Sequence, residues 1–261
     1  VNALDRELEV AVAAARAAGA IIRGYYDGGV ESWDKSRDNP VTHADLEANR
    51  CIQGRIAAAF PGDGWLSEET ADSAERLSKA RVWIVDPLDG TKEFIQHIPE
   101  FCVCIALTIA GRAALGVCYN PATEELFAGI VGHGATYNGK TAHVSPETEL
   151  ARTRVFASRS EDKRGEWDAF KSRIQVVLTG SVAFKLALIS AGKGDATFSL
   201  TPKNEWDICA GAALIEAAGG QVTGLDGQPL VFNQPKTLLP GLIASNGLLH
   251  AALQALIAEA R

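Results

Sequence analysis

The chain has 261 residues, 47% of them hydrophobic and 22% charged, enough to bury a full core in one large domain or two closely joined halves. A formal net charge of -7, with Lys and Arg scattered, excludes a nucleic-acid groove and admits a polyanionic partner only if a metal is present. Five cysteines, Cys51, Cys102, Cys104, Cys118 and Cys209, form no C-x-x-C pair, which argues against a disulfide framework or zinc knuckle and for a reducing compartment.

The opening VNALDRELEV carries acids where a secretory signal carries bases, and no run of about eighteen uncharged apolar residues follows. A soluble, cytoplasmic protein with no membrane segment is expected, and the absence of Met suggests a processed start. Leu4, Leu8, Val12, Ala15, Ile22 and Tyr26 recur at helical spacing, with Gly28 and Gly29 as the stop, so a long amphipathic helix is predicted first. ESWDKSRDNPV reads as an extended polar piece. THADLEANRCIQGRIAAAF predicts a second helix, capped by Thr42 and closed by Pro61 and Gly62, with Leu46, Ile52 and Ile56 on its apolar side. FCVCIALTIAG, AALGVCYNP, ELFAGIVG and GATYNGK predict antiparallel strands joined by turns such as Asn138-Gly139. After a soft boundary near residue 148, RVFAS and QVVLTG read as strands, VAFKLALISAG and WDICAGAALIEAAGG as helices, and GLIASNGLLHAALQALIAEA as strand then helix. The fold class is therefore α/β: an α+β N-terminal half, residues 1–148, and an α/β C-terminal half, residues 149–261.

WIVDPLDGTKEF, residues 83–94, is the stretch that carries chemistry. Val82 to Val85 is apolar enough for a strand buried on both faces, which places Asp86 at a strand end where ligands bind. Pro87 is expected to break the ladder and turn the chain, swinging Asp89 back toward Asp86. Gly90 permits a tight backbone, and TKEFI can begin a helix whose first amides have no internal partner and attract a phosphate oxygen. Two acids beside an anion site require a cation: carboxylates about 4 Å apart repel by roughly 4 kcal/mol at an effective dielectric near 20. WLSEET ends a second apolar run in Glu68 and Glu69, NEWDICAGAAL puts Asp207 in the first turn of a helix, and PVTHAD puts Asp45 one turn after Thr42. Each acid alone also fits a plain structural role, as a turn residue, an N-terminal acid or a cap.

Taken together, Glu68-Glu69, Asp86 to Thr91 and Trp206 to Gly211 match in order the pattern E-E, D-P-[IL]-D-G-T, W-D-x-x-A-G. The chain thereby resembles the lithium-sensitive, magnesium-dependent phosphomonoesterase superfamily that includes inositol monophosphatase, fructose-1,6-bisphosphatase and 3'(2'),5'-bisphosphate nucleotidase. The resemblance implies a layered αβαβα sandwich and two or three Mg2+ ions held by Glu68, Asp86, the Leu88 carbonyl, Asp89 and Asp207. It further implies that Asp45, Thr91 and Glu68 serve an in-line attack by activated water without a phosphoenzyme, and it favours a homodimer. Hard oxygen ligands suit Mg2+ better than zinc. Haloacid-dehalogenase phosphatases use D-x-D-G-T, one residue shorter, so their covalent aspartate is not expected here.

Within that superfamily, Lys92-Glu93-Phe94 after the shared core and GSVAFKLALISAGKGDA are closer to the bisphosphate nucleotidase branch. The corresponding substrate contacts are Gly90, Thr91, Ser158, Arg159, Ser181, Lys185 and Asp207, with Ser158 and Arg159 on a second phosphate. 3'-Phosphoadenosine 5'-phosphate is then the leading small-molecule substrate. FSLTPKNEWD lacks the Arg that the nucleotidases carry, and GATYNGKTAHVS resembles the inositol monophosphatase hairpin, so inositol monophosphate or another polyol or sugar phosphate is the alternative. A non-catalytic metal or nucleotide sensor is the remaining class.

Overall fold

The computed structural model describes residues 3–28, 31–36 and 39–260, with only the backbone of Lys35, Ser36 and Asn39. In chain order the first half contains α1 (Asp5–Gly28), β1 (Ser32–Ser36), β2 (Asn39–Thr42), α2 (His43–Ala59), β3 (Gly64–Ser67), β4 (Arg81–Asp89) and α3 (Thr91–Ile95). It continues through β5 (Cys102–Ile109), β6 (Arg112–Asn120), β7 (Glu125–Ile130), β8 (Gly134–Tyr137) and β9 (Lys140–Ala142). The second half contains β10 (Arg154–Ala157), α4 (Arg159–Lys163), β11 (Gln175–Leu178), α5 (Val182–Ser190), β12 (Ala196–Ser199) and β13 (Lys203–Asn204). Then follow α6 (Glu205–Ala217), β14 (Gln221–Thr223), β15 (Leu238–Leu239), β16 (Leu242–Ser245) and α7 (His250–Glu259).

A seven-stranded sheet runs in the order β3 to β9, antiparallel except for the parallel pair β3 and β4. Its strands alternate between two buried faces. Trp83 and Val85 of β4 point to the side covered by α1 and α2, whereas Val82 and Ile84 point to the side covered by α5 and α6. Burying each such side chain contributes about 1.5–3 kcal/mol, which explains why β4 needs an apolar run without alternation. Beyond α5 and α6 lies a five-stranded mixed sheet, β11-β10-β12-β16-β14, whose far face packs on Leu249, Leu253, Leu256 and Ile257 of the α7 region. The layers are therefore helix, sheet, helix, sheet, helix, as the resemblance implied. Among the described residues no helix is long and apolar enough to cross a membrane.

Several sequence expectations change in physical detail. In α1 the buried stripe is Ala11, Ala14, Ala15, Ala18 and Ile22, while Leu8 and Val12, like Leu4 just before the helix, are only half-buried, because small side chains let the helix lie close on the sheet. Gly28 is still helical, and Gly29 lies outside the described residues. The polar piece after α1 forms a β1–β2 hairpin. Pro87 does not end β4. The strand continues to Asp89 with a bulge: Asp86 faces Cys104, Asp89 faces Cys102, and three steps on one strand match two on the other. Strands β12 and β14 had no clear reading because they are short and contain Ala, Ser, Thr or Gln.

α6 sits on the first sheet through glycine. A Cβ at Gly116 of β6 would lie 2.2 Å from the Ala210 carbonyl oxygen and 3.1 Å from Ala213 Cβ. Backbone carbonyl against backbone strand leaves nothing flexible to yield. Gly116→Val should therefore lower stability by at least about 1–3 kcal/mol in urea unfolding; an unchanged midpoint would show that α6 does not pack this closely.

Candidate active site

Three of the predicted acids converge from separate elements. Glu68 follows β3, Asp86 ends the regular part of β4, and Asp207 stands at the third position of α6; one carboxylate oxygen from each lies within 4.8 Å of the others. Asp86 is buried, and Glu68 and Asp207 are half-buried. Burial, then the charges of Glu68, Asp89 and Asp207, pushes the Asp86 carboxyl well above the ordinary carboxylate range. Asp207 is raised likewise by burial and then by Asp89 and Glu68. Asp207 also keeps the structural role open to an N-terminal acid: its Oδ2 accepts the Asn204 N–H at 3.2 Å, closing a capping box.

Asp89 is brought beside them by the bulge. Its Oδ2 accepts the hydroxyl of Ser181 and the Ala183 N–H, the latter at 2.7 Å, so the first turn of α5 orients this carboxylate. Burial raises its pKa to about 7. Leu88 is buried, and its carbonyl accepts Thr91 Oγ1 at 3.1 Å. Thr91 Oγ1 also lies 3.2 Å from Asp45 Oδ1, and with a single proton the hydroxyl serves one acceptor fully or both partially. Asp45 Oδ2 meanwhile takes the Thr42 N–H at 2.8 Å and the Thr42 hydroxyl at 2.6 Å, which completes the cap on α2. Burial, opposed by these hydrogen bonds, raises Asp45 to about 6. Gly90 has φ +96, and a Cβ there would meet the Glu100 carbonyl oxygen at 2.9 Å, so the turn into α3 requires glycine.

A cavity of about 350 Å³ is lined by Glu68, Asp86, Leu88, Asp89, Gly90, Thr91 and Asp207, and also by Ser158, Ser181 and Lys185. Several of the substrate contacts expected from the resemblance have partners within the chain. Ser158 caps α4 in a reciprocal pair with Glu161 rather than standing in a loop. The Arg159 guanidinium forms a two-point ion pair with Glu100, with Nη2 to Oε1 at 2.9 Å, and the cavity wall carries Arg164 instead. Ser181 caps α5 and donates to Asp89, so its hydroxyl orients a carboxylate. Lys185, 2% exposed, feels the charges of Glu161, Asp89 and Glu93, and burial lowers its pKa. Glu161, Arg164 and Lys203 also line the cavity and were not singled out from sequence. The S-x-x-E spacing of Ser158 and Glu161 was a readable capping signal; Arg164 and Lys203 carry none.

A divalent cation suits this donor set. Crowded carboxylates, two of them raised far out of their ordinary range, supply only hard oxygen, and the carbonyl of Leu88 would add an uncharged ligand. The inositol monophosphatase family model matches residues 3–261. The chain belongs to that family. An inositol-1-monophosphatase from Mesorhizobium japonicum is 34% identical over 97% of this chain and 98% of its own length. Inositol monophosphatase 3 of Solanum lycopersicum is 35% identical over 85% of the chain and 87% of its own. The solved inositol monophosphatase of Anabaena superposes with a TM-score of 0.85 at 32% identity, covering 99% of this chain and 97% of that one. The family consists of metal-dependent phosphatases of small phosphate esters, and the carboxylate cluster is a part of this member that fits a hard metal ion.

Because the folded-state pKa values are raised, these acids favour the metal-free fold below about pH 4, and that contribution is lost as pH rises through about 6 to 7. Cation binding must then restore more stability at high pH, where no protons have to leave. Millimolar Mg2+ should raise Tm more at pH 8 than at pH 5, and Asp86→Asn should remove most of that shift and abolish turnover. Equal shifts at both pH values, or an unaltered shift in Asp86→Asn, would contradict the assignment.

Proposed function

We propose that the protein is a Mg2+-dependent phosphomonoesterase acting on a small polyol or sugar monophosphate of the inositol phosphate type. The observation that carries this reading is that three close carboxylates and Thr91, whose hydroxyl is backed by Asp45, stand at one cavity. Glu68, Asp86, Asp89, Asp207 and the Leu88 carbonyl would hold two or three ions. When bound, the cations acidify water and stabilise charge on the leaving oxygen. Thr91 Oγ1 would orient the attacking water, and the Asp45 carboxylate would position Thr91 from behind. The Asp45 carboxylate, raised by burial to about 6, would take the proton through Thr91.

With two ions bound, the charge supports a single phosphate. Two divalent ions would neutralise Glu68, Asp86, Asp89 and Asp207, leaving Glu93 and Glu161 against Lys92, Arg164, Lys185 and Lys203 on the cavity wall. The surplus of two positive charges matches one phosphate dianion. A second phosphate would have to displace existing partners, since Arg159 is held by Glu100 and Ser158 by Glu161. The cavity of about 350 Å³ also lies at the small end of ligand sites.

Lys185 favours the second reading, a 3'(2'),5'-bisphosphate nucleotidase, because a lysine in the wall of a phosphate cavity can receive another phosphate. Measuring kcat/KM for inositol 1-phosphate and for 3'-phosphoadenosine 5'-phosphate, in wild type and in Lys185→Met, separates the two. A wild-type preference for inositol 1-phosphate, with the substrate ratio hardly changed in the variant, is expected. A nucleotide preference with a selective loss of about tenfold to a hundredfold in Lys185→Met would establish the nucleotidase instead. No turnover of any phosphate ester with Mg2+ would leave a sensor.

A further inference from the structure

Behind the carboxylates lies a group that the phosphatase chemistry does not use. Cys102 and Cys104 are alternate residues of β5 and share a face, and Cys118 of β6 stands directly opposite Cys104. Sγ of Cys102 is 3.4 Å from that of Cys104, Sγ of Cys104 is 3.9 Å from that of Cys118, and all three lie within 4.8 Å of one another. Each side chain is 0% exposed.

The thiols are tied to the carboxylate centre from behind. Cys104 is the cross-strand partner of Asp86, and Cys102 is that of Asp89. Cys102 Sγ also lies 3.7 Å from the hydroxyl of Ser181, which donates to Asp89. Three sulfurs bonded to one atom at about 2.3 Å lie about 3.4 Å apart at pyramidal angles and about 4.0 Å apart in a trigonal plane. The Cys102–Cys104 and Cys104–Cys118 spacings fall at the two ends of that range, and the third is within 4.8 Å. Soft sulfur does not compete for Mg2+, and the hard carboxylates nearby do not compete for a thiophile.

Charge selects among thiophiles. Three thiolates leave two net negative charges on a monovalent ion and one on a divalent ion, but none on a trivalent centre. A net negative charge buried next to Asp86 and Asp89 is the costliest of these states. We propose that Cys102, Cys104 and Cys118 form a buried three-thiol site for a trivalent thiophile of the arsenite class, and that filling it disables the carboxylate centre through Ser181 and Asp89. In the reaction three S–H bonds and three As–OH bonds are exchanged for three As–S bonds and three waters. Arsenic remains trivalent, each thiol proton leaves on a hydroxyl oxygen, and no oxidant is needed. Because the sulfurs are enclosed, entry requires local opening of the structure around them, and loading is slow.

The test uses reduced full-length protein, sodium arsenite, removal of excess reagent and elemental analysis, with X-ray absorption at the arsenic edge. One arsenic retained per chain is expected, with three sulfur and no oxygen neighbours. Retention should be lost in Cys118→Ala and kept in Cys51→Ser, which alters the half-buried cysteine of α2. The loaded protein should also lose the rise in Tm that Mg2+ gives the unloaded one. No retention, an oxygen in the arsenic shell, or retention unchanged in Cys118→Ala would overturn the site. Displacement of arsenic by equimolar cadmium(II) would overturn the selection by charge. The absorption spectrum of the wild type decides the coordination even if Cys118→Ala fails to fold. Retention and coordination do not depend on phosphatase activity, so a failure of the proposed function leaves them as separate results.

Discussion

Like charges held together by the fold are the constraint on which the rest of this protein turns. Glu68, Asp86 and Asp207 come from residues far apart in sequence, yet their oxygens converge within 4.8 Å, with Asp89 alongside. No folded chain gains stability by such an arrangement unless protons or cations occupy it. The neighbouring elements oppose the repulsion by fixing each group from behind. A bulge places Asp89, the first turn of α5 holds its second oxygen, and a capping box fixes Asp207. The buried apolar faces of the seven-stranded sheet supply the rigidity that keeps the acids from relaxing apart.

The same arrangement couples packing to chemistry. α6 carries Asp207 and reaches the sheet only because Gly116 has no side chain between it and the Ala210 carbonyl. Asp45 caps α2 with one oxygen and meets Thr91 with the other, so a single residue joins helix formation to proton handling. Structural and functional uses of these acids are not alternatives, because a carboxylate has two oxygens.

Much of the site was legible because its chemistry resides in short local patterns. Asp86, Pro87, Leu88, Asp89, Gly90 and Thr91 sit in one turn, and their types constrain a strand end, a tight backbone and a helix start. Pro87 misled about the strand, since a bulge accommodates its missing N–H without ending the pairing. Arg159 misled for a different reason: its partner Glu100 lies 59 positions away, and no local pattern carries that ion pair. Arg164 and Lys203 reach the cavity through the packing of α4 and β13, which sequence periodicity does not encode. The thiol cluster lies between these cases. Cys102 and Cys104 have the two-residue period of one strand face, but Cys118 joins them only through the register of β5 with β6.

The central claim is that a divalent cation occupies the space between the three carboxylates. Anomalous diffraction from crystals grown with Mn2+, a hard ion suited to the same carboxylate ligands as Mg2+, tests it directly. A peak at about 2.1 Å from oxygens of Glu68, Asp86 and Asp207 together is the expected result. A cluster without a peak at saturating Mn2+, or ions bound only elsewhere on the chain, would contradict it.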